Sequence, residues 1–154
     1  MTIYRERLTP GPLAFIASAL IIPAALLVFL PINVEVGVIV AIAMYAAVVV
    51  GLLVTSPVIE VTETHFVAGK ARLPLANLGA AEGFSGEDAR RERGPALDAR
   101  AWLVIRGWVD PVVKVIVLDD RDPAPYWLVS TRQPAALVDA LTAAAARRPP
   151  GVAS

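Results

Sequence analysis

Few residues in this chain are equipped for chemistry. It contains one histidine, His65, flanked by Glu63 and Thr64, and no cysteine. Histidine, hydroxyl and carboxylate are the residue types of an acyl-transfer triad. Such a triad needs its nucleophile on a sharp strand–turn–helix elbow, and no serine here lies in one. His65 therefore reads as a turn or surface residue. A zinc site needs three or four ligands; one histidine, no thiolate and no carboxylates at helical spacing do not supply them. Asp119, Asp120 and Asp122 have the composition of a calcium loop but lack its glycine and distant glutamate, so they read as a turn. Gly83 and Gly86 precede Glu87 and Asp88, which would repel a phosphate rather than cradle it. No cofactor and no enzymatic activity are expected.

The most informative polar set is Asp98, Arg100, Arg106, Trp108, Asp110 and Lys114, around a turn at 108–111. On a regular strand the even spacing of Asp98, Arg100 and Arg106 places them on one face. One reading is an ion-pair ladder on an exposed strand face, worth little per pair. The other is a groove for an acidic peptide or a lipid headgroup, held by Arg100, Arg106 and Lys114 with Trp108 as an aromatic wall. The ladder is favoured, because exposed strand faces are normally charged. The mixed-sign segment 85–94 reads as a solvated loop or short helix, with neighbouring acids offsetting its arginines.

The elements that must position these residues are set by two uncharged apolar runs, 13–30 and 36–54. At ~1.5 Å per residue each is long enough to cross a bilayer as a helix. Overall composition agrees, with 56% hydrophobic residues and a mean hydropathy of +0.63. The first run exceeds a signal peptide's apolar region and lacks a small-residue cleavage site after it. Arg5 and Arg7 precede the runs, Lys70, Arg72 and Arg90 to Arg93 follow them, and the intervening 31–35 has no cation. Positive residues mark the cytoplasmic side. The expectation is a multi-pass plasma-membrane protein with both termini cytoplasmic and a cytoplasmic N-terminal segment, 1–12. A formal net charge of zero and no basic stripe argue against nucleic acid.

Small residues recur every four positions. Ala14 and Ser18 share one face of the first run; Ala43, Ala47 and Gly51 share one face of the second. In an antiparallel hairpin these faces could meet closely. They could equally serve a homodimer or a partner helix, or reflect the abundance of alanine. Pro23 removes a backbone hydrogen bond within the first run and should bend it.

Residues 57–148 read as a small soluble domain, with 149–154 as a loose tail. Strand patterns occur at 58–62, 65–68, 71–75, 78–84, 101–106, 112–118 and 126–130, followed by a helix to about 146. Ser130 or Thr131 would cap that helix, with Gln133 completing a capping box. The expected form is a strongly bent antiparallel sheet or partial barrel with the helix at one open end.

This order of elements resembles the bacterial pleckstrin-homology-like (PH-like) domains, which often follow a two-helix membrane hairpin. Local echoes are Thr62 with Phe66, Gly69, and Leu73-Pro74-Leu75. A second resemblance covers nearly the whole chain. Tyr4-Arg5-Glu6-Arg7-Leu8, Asp98-Ala99-Arg100-Ala101 and 125–132 (PYWLVSTR) are similar to an uncharacterised family of small actinobacterial membrane proteins, a domain of unknown function. It implies the architecture and no particular chemistry. The function expected is a non-catalytic membrane anchor or adaptor presenting a PH-like module to a protein partner. The alternatives are an accessory subunit of a larger membrane complex and, less favoured, an anionic-lipid-binding module.

Overall fold

The computed structural model describes residues 1–147. The tail expected at 149–154, and Arg148 at the end of the expected soluble domain, lie outside them. The chain divides into two units. One is Thr9–Ser56. The other joins Met1–Leu8 to the chain from Pro57 onward.

Thr9–Ser56 holds the apolar runs. The first forms α1 (Pro12–Ser18) and α2 (Ile21–Phe29). The break between them falls one turn before Pro23. Pro23 has no N–H to donate to the Ala19 carbonyl and its ring crowds that carbonyl. The local bonds tighten instead to three-residue spacing, with Leu20 N–H donating to Ala17 O at 3.2 Å and Ile22 N–H to Ala19 O at 3.0 Å. The second run forms α3 (Val34–Val54), two residues earlier than its apolar stretch suggests. Asn33 starts it, its Oδ1 accepting from Glu35 N at 2.9 Å and Val36 N at 3.2 Å. Both segments are long and apolar enough to cross a membrane, with mean hydropathies of 2.4 and 2.7.

The packing face of α3 differs from the one the sequence pattern suggested. Gly37 and Ala41 are buried, whereas Ala43, Ala47 and Gly51 are exposed. The two stripes lie about a third of a turn apart at 3.6 residues per turn. The buried one is selected at Gly37, where a Cβ would meet Phe29 Cβ at 3.1 Å and Leu30 N at 3.7 Å. At Gly51 a Cβ would meet nothing within 4 Å. Ala14 and Ser18 are half-buried, and Ser18 donates to Phe15 O at 2.9 Å.

The other unit contains two four-stranded sheets. The first has β1 (Thr2–Arg7), β2 (Val58–Thr62), β3 (His65–Ala68) and β4 (Ala71–Pro74) in that order, all antiparallel. β1 lies within 1–12, which the sequence reading gave as a cytoplasmic N-terminal segment without assigning it a strand. It pairs with β2 across the apolar insertion, with Arg5 opposite Glu60 and Arg7 opposite Val58. Leu8 N–H donates to Pro57 O at 3.0 Å, so the two connections to the apolar helices leave the sheet side by side. Alternation sends Ile59, Val61 and Phe66 inward. Gly69, at φ +64°, makes the tight β3–β4 turn.

A single 3-10 turn, Leu75–Asn77, leads to the second sheet. It contains β5 (Leu78–Phe84), β6 (Trp102–Val104), β7 (Val112–Val117) and β8 (Tyr126–Ser130), in the order β5-β7-β8-β6. β6 is shorter than expected and runs parallel to β8, with Trp102 opposite Trp127 and Val104 opposite Val129. The 101–118 region is therefore no hairpin, and β8 separates its two strands. Two short helices accompany the sheet, α4 (Gly86–Arg93) and α5 (Pro134–Ala146).

One core joins Ile59, Val61 and Phe66 of the first sheet to Val113, Val115, Trp127 and Val129 of the second and to Leu137 and Leu141 of α5. A smaller core behind the second sheet contains Ala89, Val112, Tyr126 and Leu128. Apolar cover on both faces is why every residue of β8 is buried and why its sequence does not alternate. α5 begins later than expected. Gln133 occupies its N-cap without a side-chain bond, and no capping box forms. The Thr131 hydroxyl is engaged elsewhere.

Gly37→Leu is expected to lower the thermal stability of helical structure in the detergent-solubilised chain. Gly51→Leu is expected to stay within about 0.5 kcal/mol of the parent, as a substitution into open space. Circular dichroism melts rank the two, and the reverse order would show that α3 packs through its other stripe.

Candidate functional site

The polar residues gather in two clusters, both in the β unit. The first lies where β1 ends. Tyr4 and Glu6, two apart on one strand, point the same way. Glu6 Oε2 accepts from Tyr4 OH at 2.8 Å and Thr131 Oγ1 at 2.6 Å. Its Oε1 accepts from the Arg132 backbone N–H at 3.0 Å and lies 3.5 Å from the Arg132 guanidinium. Arg132 also donates to Arg7 O at 3.4 Å. One carboxylate thus ties the N-terminal strand of one sheet to the end of β8 in the other. Burial, helped by the Glu6 carboxylate and opposed by the Thr131 bond, pushes the Tyr4 phenol up to about 12. The residues forming this clasp belong to the segments 4–8 and 125–132, which the sequence singled out only by resemblance. A period of two in Thr2-Ile3-Tyr4-Arg5-Glu6 was the available signal for the strand.

The second cluster lies beneath α4. Asp110 Oδ2 accepts from Gly86 N at 2.7 Å, and its Oδ1 accepts from Arg93 at 2.9 Å. The helix N-terminus is thereby filled by the chain's own carboxylate, which the Gly86 N–H and then Arg93 hold below the usual carboxylate range. Lys114 Nζ lies 2.9 Å from Glu92 and 4.4 Å from the Tyr126 ring centroid. Tyr126 OH accepts from Asp98 N at 2.7 Å.

The four residues expected to form one binding face are not brought together as a face. Asp98 and Arg100 precede β6 in a turn, where Arg100 bonds back to Asp98 and lowers its pKa below the usual carboxylate range. Arg106 follows β6; its backbone N–H donates to Ser130 Oγ at 3.0 Å and its guanidinium to Ile105 O at 2.9 Å. Lys114 is held internally by Glu92 and Tyr126. With β6 only three residues long, the even spacing of Asp98, Arg100 and Arg106 has no strand to act along. Trp108 stands apart from these pairs, 39% exposed beside the buried Val109.

The remaining candidates are equally local. His65 is exposed, with Nδ1 2.8 Å from Thr64 Oγ1. Asp119 and Asp122 accept from the backbone N–H groups of Arg121 and Ala124, as turn carboxylates do. Among the described residues no group of three or more His, Asp or Glu could hold a metal ion. A shallow groove of about 370 Å³ runs between β5 and α5, lined by Gly83, Ser85, Pro134, Ala135, Val138 and Asp139. Its single ionisable group gives it no evident chemistry.

Fold and site together define a two-sheet β unit interrupted, between its first two strands, by two apolar helical segments. Residues 3–141 match the family described as Protein of unknown function (DUF3093), and the chain belongs to that family. The match takes in both ends of the Glu6 clasp. No curated protein and no solved structure matches the chain.

Glu6→Ala removes the shared acceptor and is expected to cost roughly 3 kcal/mol, as charge-assisted bonds to half-buried donors are lost. Denaturant titration of the full chain in detergent measures it. Tyr4 supplies a pH test. A phenol raised from 10.0 to about 12 in the folded state contributes stability present below pH 10 and lost as pH rises through 12. Tyr4→Phe is expected to flatten that alkaline loss.

Proposed function

We propose that this protein is a two-span membrane protein whose β unit is a non-catalytic, PH-like interaction module at the cytoplasmic face of the plasma membrane. One observation carries the reading: β1 and β2 pair although the apolar helices lie between them in sequence. Pairing requires both flanks in one compartment, which one crossing does not satisfy; the length and hydropathy of the two apolar segments favour two crossings over none. Cleavage within the first apolar segment would strip β1 from its sheet, which argues against a signal peptide. The cationic flanks and cation-free 31–35 connection support a cytoplasmic placement. The resemblance to small actinobacterial membrane proteins supports the same architecture.

The PH-like reading rests on two sheets sharing one core with a C-terminal helix packed against strands of both. It must accommodate an added strand before the apolar insertion and a parallel β6. The polar clusters are engaged within the fold, which favours partner binding over turnover. A second reading, an accessory subunit, is favoured by the exposed Ala43, Ala47 and Gly51 stripe, which a neighbouring helix could approach closely. Stoichiometric co-purification in mild detergent would favour it.

Native cysteines are absent, so single introduced thiols report topology cleanly. Ile32→Cys spares the Asn33 cap and is expected to react with an impermeant maleimide on intact cells. Ser85→Cys is expected to react only after permeabilisation. The reverse pattern would reject the cytoplasmic placement.

A further inference from the structure

The end of the β unit from which both connections leave is identifiable from contacts within that unit. Leu8 bonds to Pro57 there. A Cβ at Gly69 would lie 3.7 Å from Pro57 and 3.8 Å from Val104, the last residue of β6. Thr131 N–H donates to Pro111 O at 3.1 Å, and Arg132 reaches Arg7 O. The loop 105–111, between β6 and β7, therefore sits at this exit end, carrying half-exposed Trp108. The opposite end carries the 118–125 turn.

Charge is distributed unequally between the ends. The exit end presents Arg7, Lys70, Arg106 and Arg132. Glu6 offsets Arg132, Asp110 is engaged with Gly86 N–H and Arg93, and exposed Glu87 and Asp88 offset part of the remaining cationic charge. The opposite end presents Glu63, Asp98, Asp119, Asp120 and Asp122, against Arg100, Arg121 and the Met1 ammonium, which lies 3.5 Å from Glu63. Tryptophan prefers the headgroup layer, where its ring is buried and its N–H stays wet. Cations near an anionic leaflet are attracted to lipid phosphates.

We propose that the 105–111 loop docks into the headgroup layer of the bilayer, with Trp108 as its apolar tip and the surrounding cations favouring anionic lipid. This rests on reading the apolar helices as spans, since they are covalently continuous with the exit end. The occupant is the lipid interface itself. The surface keeps Arg106 and Trp108 of the expected groove and leaves out Arg100 and Lys114, which pair with Asp98 and Glu92 elsewhere in the unit.

The test uses the full chain reconstituted into vesicles of phosphatidylcholine and phosphatidylglycerol. Gly107→Cys places a thiol in open space, since a Cβ there meets nothing within 4 Å. Labelled with a polarity-sensitive fluorophore, it is expected to show blue-shifted emission and strong quenching by lipids brominated high on the acyl chain. Asp120→Cys at the opposite end is expected to show neither. An independent measurement needs no label: Trp108→Phe is expected to remove most of the bromolipid-quenchable tryptophan emission, while Trp102→Phe leaves it. Equal water-like emission from both labels in chains that float with the vesicles would overturn the docking and leave the spanning reading intact. Failure to float would overturn both.

Discussion

The structure depends on an antiparallel pairing between two strands that an apolar insertion separates in the sequence. Among the described residues β1 pairs with β2 alone, and β2 relies on β1 to cover its outer backbone groups. Bringing residues 2–7 to residues 58–62 closes a long loop. That entropic cost rises only slowly with loop length. An insertion that folds on itself, as α2 and α3 do in packing together, lowers the cost further by holding its own ends near each other. The Glu6 carboxylate then fixes the closed state, because its partners Thr131 and Arg132 come from the far end of the sequence. The first strand and the segment that follows the last strand are joined by one half-buried acid.

That clasp also shapes the polar chemistry nearby. Thr131 gives its hydroxyl to Glu6 and receives Gln133 N–H at 3.1 Å, so it does not cap α5. Asp110 does the corresponding work at α4, filling a helix N-terminus that an anion would otherwise find open. Buried polar groups are thus satisfied from within. Among the described residues no buried side-chain polar atom is left without a partner.

Much of this was legible in the sequence where periodicity was strong. The two apolar runs, the strands at 58–62, 65–68, 78–84 and 126–130, and the C-terminal helix follow from apolar length and alternation. What was illegible depends on partners distant in sequence. β1 has the alternation of a strand, but three charged residues beside a long apolar run read naturally as a membrane flank. The parallel β6 was hidden because a short turn between two branched-residue runs normally signals a hairpin. The Gly37 and Ala41 stripe of α3 was not singled out, because Ala43, Ala47 and Gly51 match a small-residue pattern as well, and the approach of Phe29 to Gly37 is visible only in the structure. Arg100, Arg106 and Lys114 looked like a set in one dimension and are dispersed in three.

The claim that the two flanks of the apolar helices form one sheet has a direct test. Arg5 and Glu60 face each other in register, and the chain has no native thiol. In the double variant Arg5→Cys, Glu60→Cys, mild oxidation of native membranes should join the two positions within a single chain. After protease cleavage inside the 55–57 connection, the bond should keep residues 1–54 attached to the β unit until reductant is added. Absence of that cross-link, with both thiols reactive on their own, would contradict the pairing and the two-crossing topology built on it.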